Sequence, residues 1–180
     1  MAFTPTLIIV IICLSFFLLH IFQKVFINKK IIDKIKQRSS HSTVATRSGG
    51  LSVFLAIFII SCYFYVSGFE IYDFSIIVPL SLLMVIGLYD DVYNMDFKLK
   101  FIFQIIAAKI FIDNGLIIEN LHGVLGIFEL SRIIAQVFTI FIIVAIINSI
   151  NFIDGIDGLA IFLVLFFIIM FEFFSLETTA

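Results

Sequence analysis

The sequence predicts an all-α fold: a polytopic transmembrane helical bundle of about six spans, with its cytoplasmic loops forming the site. Three observations predict it. Of the 180 residues, 62% are hydrophobic and 13% charged, with 24 Phe and a mean hydropathy of +1.23, more apolar surface than one soluble core of this size could bury. The apolar residues come in long runs, several close to the roughly 20 residues that a helix needs to cross a bilayer. Runs such as "FLVLFFIIMF" lack the polar/apolar alternation of transmembrane barrel strands.

Span 1 covers residues 6–26; it has no basic leader before it and no small-residue cleavage site after it, so it reads as a retained helix rather than a signal peptide. Span 2 covers 50–66, directly after Gly49 and Gly50, and span 3 covers 74–89, ending on Asp90 and Asp91. Span 4, 101–112, is the shortest and is interrupted by Lys109; it becomes a span if it extends back to Phe97 and Lys109 snorkels outward. Spans 5 and 6 cover 133–147 and 159–174. The whole, residues 1–180, reads as a single integral membrane domain. Cys13 and Cys62 lie inside apolar spans, which excludes a disulfide framework or a CxxC metal site, and there is no internal repeat.

Basic residues set the expected orientation. Lys24, Lys29, Lys30, Lys34, Lys36, Arg38 and Arg47 fall from the end of span 1 to the start of span 2, and Lys98 and Lys100 fall between spans 3 and 4. The positive-inside rule makes those loops cytoplasmic. The opposite loops, "SGFEIYD" and "DNGLIIENLHGVLGIFEL", carry acids and no Lys or Arg, which puts both termini outside. Parity then gathers the three polar clusters on the cytoplasmic face: "RSSHSTVATRSGG" (38–50), "YDDVYNMDFKLK" (89–100) and "NSINFIDGIDG" (148–158).

Asp90 and Asp91 sit at the C-terminal end of a helix, where the macrodipole disfavours each carboxylate by a few tenths to about 1 kcal/mol. A cation must offset this: a divalent metal, a lysine such as Lys98 or Lys100, or both. The plain alternative is a polar helix end marking the membrane boundary. In the third cluster Asn148, Asn151, Asp154 and Asp157 recur every third residue and form one polar ridge, while Gly155 and Gly158 allow close approach of a ligand or backbone. One of the aspartates could simply cap span 6, but a cap does not account for two Asn, two Asp and two Gly together. The spacing does not fit an EF-hand; metal-bridged phosphate chemistry fits better, because Mg²⁺ takes one or two protein oxygens and shares its other positions with water and phosphate. His41, Arg47 and the paired glycines before span 2 suit an anion, although a basic loop beside an anionic leaflet is the simpler reading for the lysines upstream. His20 reads as a helix-packing residue and His122 as an isolated loop residue.

Taken in order, "RSSHSTVATRSGG", "GLYDDVYNMDFKLK" and "NSINFIDGIDGLA" resemble the successive cytoplasmic motifs of the polyprenyl-phosphate N-acetylhexosamine-1-phosphate transferases, the glycosyltransferase 4 family. The pattern DDxxN in "DDVYNM" resembles the branch that starts O-antigen, common-antigen and teichoic-acid linkage units, and so points toward lipopolysaccharide or other cell-surface polysaccharide synthesis. The resemblance implies transfer of a HexNAc-1-phosphate, GlcNAc-1-phosphate first among them, from a UDP-sugar to undecaprenyl phosphate at the bacterial inner membrane. UMP would be released, with Mg²⁺ or Mn²⁺ as cofactor. It implies catalytic roles for Asp90 and Asp91, in metal handling or in deprotonating the lipid phosphate. It implies substrate contacts for His41, Arg47, Asn94, Lys100, Asn148, Asp154 and Asp157, and metal ligation by Asn151 with Asp91 and Asp154. Arg38, Gly49 and Gly50 fall on the same first motif.

The chain departs from the family in two places. Val44, Ala45 and Thr46 stand where family members carry prolines. The chain also stops after the sixth span, before the family's later loops, so a truncated enzyme is expected, open to homo-oligomerisation or to a missing C-terminal half. The alternative function is a non-catalytic paralogue or fragment that binds lipid phosphate or a protein partner. A small transporter would explain acids in membrane segments but not three clusters on one face. Membrane lipid is an expected partner and nucleic acid is not.

Overall fold

The structure is a computed structural model that describes residues 3–29, 46, 48–68, 74–153 and 159–178. The described residues form six α-helices: α1 (Phe3–Asn28), α2 (Gly49–Val66), α3 (Ile77–Tyr93), α4 (Phe97–Asp113), α5 (Arg132–Ile153) and α6 (Leu159–Thr178). A short 3₁₀ turn, Phe74–Ile76, leads into α3. No strand occurs among the described residues, only an isolated bridge between Asn120 and Glu129. The all-α expectation holds, and each apolar run of the sequence becomes one helix. Among the described residues four segments are long and apolar enough to cross a membrane: Thr6–Asn28, Gly49–Val66, Phe74–Tyr93 and Arg132–Ile153; Leu159–Phe174 is a shorter apolar helix. The protein is a multi-pass membrane protein.

The fourth expected span differs from the rest. Helix α4 extends the expected run 101–112 back to Phe97, but has 17 residues, about 25 Å against a hydrocarbon core of about 30 Å. It carries Lys98, Lys100 and Lys109, and Lys109 pairs with Asp113 one turn on, with both side chains exposed. Its length and charge keep it outside the group of full-length spans.

The chain divides into two compact units, residues 1–140 and 141–180, with α5 contributing to both. In the first unit α1 packs on α2, α2 on α3 and α3 on α4. The contacts use small side chains: Ser52 and Ala56 on α2 and Ala107 and Ala108 on α4 are all buried. Lipid tails are as apolar as leucine, so helices in a bilayer gain more from close backbone approach than from burying large side chains. Many large ones point outward; Ile8, Ile9, Ile12, Phe16 and Phe17 of α1 are exposed, while Phe26, Phe64, Ile77, Ile86 and Ile112 are buried.

Hydroxyls within the helices satisfy themselves locally. Ser61 Oγ donates to the Ile57 carbonyl and Ser81 Oγ to the Ile77 carbonyl, both at 2.6 Å, and Thr139 Oγ1 donates to the Ala135 carbonyl at 2.7 Å. In a medium without water each such group would otherwise be a cost. Helix α4 ends in a Schellman motif: Leu116 N–H reaches the Phe111 carbonyl and Gly115 N–H the Ile112 carbonyl, with Gly115 at φ +90°. Asn114 Nδ2 donates to the Ser75 carbonyl at 3.4 Å, which brings the end of α4 back to the level where the α3 segment begins. Helices α3 and α4 are therefore an antiparallel pair, closed at one end by residues 94–96 and tied at the other.

Candidate functional site

The closed end of the α3/α4 pair carries the second polar cluster. Asn94 caps α3 in the left-handed conformation, φ 52° and ψ 73°, and its N–H bonds the Asp90 carbonyl at 2.9 Å. Asparagine tolerates this region better than other non-glycine residues. The chain then turns through Met95 and Asp96, and Asp96, extended at φ −60° and ψ 135°, starts α4.

This turn folds the Asp90 carboxylate inward. Its Oδ1 accepts the Met95 backbone N–H at 3.0 Å and its Oδ2 accepts Lys100 Nζ at 2.7 Å. The two side chains are 27% and 24% exposed, which makes the pair stronger than a fully solvated one. Lys100 is the cation that offsets the helix-end carboxylate; Lys98, two residues earlier, is exposed. Because an ammonium has three donors, Lys100 keeps two after bonding Asp90. Asp91, next along, is half-buried at the same helix end.

Tyr89 and Tyr93, four residues apart on α3, have ring centroids 4.7 Å apart, and both are exposed. Phe97 and Phe101 repeat the arrangement on α4, with centroids 6.0 Å apart. Tyrosine rings, with an apolar body and a polar tip, collect at the headgroup level, and two of them flank the Asp90–Lys100 turn.

The first cluster is only partly described: Arg38, His41 and Arg47 lie outside the described residues. Gly49 and Gly50 open α2 and are exposed, and a side chain added to either would meet nothing within 4 Å. Ser48 before them is buried, with its hydroxyl bonded to that of Thr46 at 2.9 Å. Of the third cluster, Asn148 and Asn151 lie on successive turns of α5 in the second unit. Asn148 Nδ2 donates to the Val144 carbonyl at 2.8 Å and Asn151 is exposed; Asp154 and Asp157 lie outside the described residues. The structure thus joins Asp90, Asn94 and Lys100 of the expected site residues into one feature.

Sequence reasoning missed two parts of that feature. The Met95 N–H carries no side-chain signal at all. The left-handed cap was legible, since an asparagine between a helical run and "MDF" is a helix-stop signal, but the sequence reading did not draw it.

The family model described as Glycosyl transferase family 4 matches residues 73–179. The chain belongs to this family. The match takes in the second and third clusters and leaves out the first. No curated protein and no solved structure matches the chain. Membership makes this glycosyl transferase family 4 protein a polyprenyl-phosphate sugar-phosphate transferase in general terms, acting on a membrane-lipid-linked substrate.

Among the described residues no three His, Cys, Asp or Glu side chains gather into a metal site. A hard divalent cation needs fewer: Mg²⁺ takes one or two protein oxygens and completes its shell with water and phosphate. The donor chemistry at the turn suits that arrangement. Both Asp90 oxygens are engaged by protein donors, and the Asp91 carboxylate stands beside them at the same helix end.

Proposed function

We propose that the protein transfers an N-acetylhexosamine-1-phosphate from a UDP-sugar to undecaprenyl phosphate, with release of UMP, at the cytoplasmic face of the bacterial inner membrane. The observation that carries this reading is the Asp90–Lys100 pair, 2.7 Å long and adjacent to Asp91, at an aromatic-lined membrane boundary in a family 4 chain. A lipid phosphate and a nucleotide diphosphate must meet where the polar head of one is wet and its tail stays in lipid. Excess cytoplasmic charge in the loops around residues 24–47 and 98–100 supports the orientation, which puts both termini outside.

In the proposed reaction a lipid phosphate oxygen attacks the sugar-bearing phosphorus, the bond to the UMP phosphate breaks, and UMP leaves with that electron pair. Lys100 faces the negative oxygens with its two remaining donors, held at a fixed angle by Asp90. Asp90 acts as a positioning residue. Asp91 holds the metal or takes the proton of the lipid phosphate. Mg²⁺ or Mn²⁺, when bound by Asp91 with Asn151 and Asp154, supplies the charge neutralisation that phosphoryl transfer needs. Asn94, Asn148, Asp154, Asp157, His41 and Arg47 are proposed to contact the substrates.

The test is a transferase assay on the purified chain in detergent with undecaprenyl phosphate, Mg²⁺ and labelled UDP-GlcNAc. Lipid-linked product that disappears in Asp91→Asn and in Asp157→Asn supports the reading. Absence of product with every UDP-HexNAc, while the folded protein still retains undecaprenyl phosphate, would replace it with a lipid-phosphate-binding role.

A further inference from the structure

The loop from α4 to α5 is built around an apolar tip. Leu121 N–H bonds the Phe128 carbonyl at 2.8 Å, Leu130 N–H bonds the Glu119 carbonyl at 2.9 Å and Gly123 N–H bonds the Ile127 carbonyl at 3.0 Å, which closes a hairpin. Gly123 and Gly126, at φ +86° and +75°, bend its end. The base is polar: Glu119, Asn120 and Glu129 are exposed, as is Arg132 where α5 begins. Residues 123–128 carry no charged side chain, and Leu125 is 91% and Phe128 64% exposed, with Val124 and Ile127 exposed beside them; His122, exposed directly before Gly123, belongs to the polar base through its N–H bond to Asn120 Oδ1.

Leu125 combines two unfavourable features. It is a bulky apolar residue at φ +55°, a conformation that L residues with a Cβ avoid, and it projects outward from the hairpin. The chain spends local strain to aim a leucine outward. Hydrogen bonds across the hairpin and within its end engage the N–H groups of Leu121, Gly123, Val124, Gly126, Ile127 and Leu130, which lowers the cost of placing the turn in a low-dielectric layer.

The position of the root says what receives the tip. The Asn114–Ser75 bond places the end of α4 level with the start of the Phe74–Tyr93 span, so the hairpin leaves the protein at the edge of the hydrocarbon. Helix α4 is short of that thickness by about 5 Å, given about 1.5 Å per residue and a core of about 30 Å. A short crossing leaves apolar lipid unmatched beside its end, and an apolar tip without Lys, Arg, Asp or Glu fills that zone.

We propose that the hairpin tip, Val124, Leu125, Ile127 and Phe128, inserts into the lipid leaflet opposite the Asp90–Lys100 turn and anchors the α4–α5 connection to the bilayer. The polar base stays among the headgroups, as in other amphipathic interfacial segments.

The chain contains no tryptophan, so a single introduced one reports its own surroundings. Full-length Leu125→Trp, Phe128→Trp and, as a base control, Asn120→Trp are reconstituted into phosphatidylcholine vesicles with and without brominated acyl chains, after each matches the parent in helical circular dichroism. Insertion predicts blue-shifted emission at 125 and 128, quenching by bromolipid and protection from aqueous iodide, with the reverse at 120. Iodide quenching at 125 and 128 without bromolipid quenching overturns the proposal. Protection from both quenchers would mean that protein, such as a second copy, covers the tip, and overturns it equally. Equal bromolipid quenching at all three positions contradicts tip-first insertion.

Discussion

Replacing Lys100 with Met keeps an unbranched apolar stem and removes the ammonium that lies 2.7 Å from Asp90 Oδ2. A hydrogen bond to a charged group contributes about 1.5–3 kcal/mol when sheltered, and partial exposure of both side chains brings this pair toward about 1 kcal/mol. Asp90 then remains at the negative end of α3 without its counter-ion, which adds a few tenths to about 1 kcal/mol. Lys100→Met should therefore destabilise the folded protein by about 1–2 kcal/mol, a fall of roughly 2–8 °C in Tm for a chain of this size. Asp90→Asn keeps an oxygen for the Met95 N–H and loses the ion pair, so the two substitutions share one interaction. A double-mutant cycle in detergent, followed by helical circular dichroism, should give a coupling near 1 kcal/mol that shrinks in high salt. Additivity within about 0.3–0.5 kcal/mol would refute the claim that Asp90 and Lys100 act as a unit, and the positioning role of Asp90 would go with it.

Three further outcomes follow from local geometry. Asn94, at φ 52°, should tolerate Gly with little change in Tm, whereas Asn94→Val should cost about 1–2 kcal/mol because a β-branched residue resists the left-handed region; equal Tm values for the two variants would contradict the cap. Gly115→Ala, at φ +90°, should destabilise by about 1 kcal/mol through the Schellman motif that ends α4, measured by the same thermal unfolding. Thr139→Val removes the hydroxyl that accepts the Ile118 N–H at 3.0 Å; it should cost about 1–3 kcal/mol for the orphaned donor and speed amide exchange at Ile118, and unchanged exchange would speak against the contact.

Much of this architecture was legible in the residues. Helix α2 ends at Val66, where hydropathy stops, and α4 takes the extension back to Phe97 that the expected span 101–112 left open, whereas α5 runs to Ile153, six residues past the expected end at 147. Two carboxylates at a helix end demanded a cation, and two lysines stood within reach in sequence. What could not be read was which lysine answers which aspartate. The choice depends on a left-handed turn at Asn94 that rotates α4 until Lys100, ten residues on, meets Asp90. The loop 114–131 was equally opaque, because its hairpin is held by backbone hydrogen bonds and by a glycine whose added Cβ would lie 3.3 Å from the Phe128 ring, neither of which shows as periodicity.

The sequence by itself determined that this is a multi-pass helical membrane protein of the sugar-phosphate transferase family, with polar motifs at helix ends. Hydropathy and motif spacing are properties of neighbouring residues, and the bilayer turns long apolar runs into helices whatever their partners. Only the tertiary structure decided that Asp90 is engaged by Lys100 and the Met95 N–H, that α3 and α4 are tied through Asn114 and Ser75, and that an apolar hairpin tip projects from the connection. Those outcomes turn on individual backbone angles at Asn94, Gly115 and Leu125, and an error of one turn in any of them would aim the same side chains elsewhere.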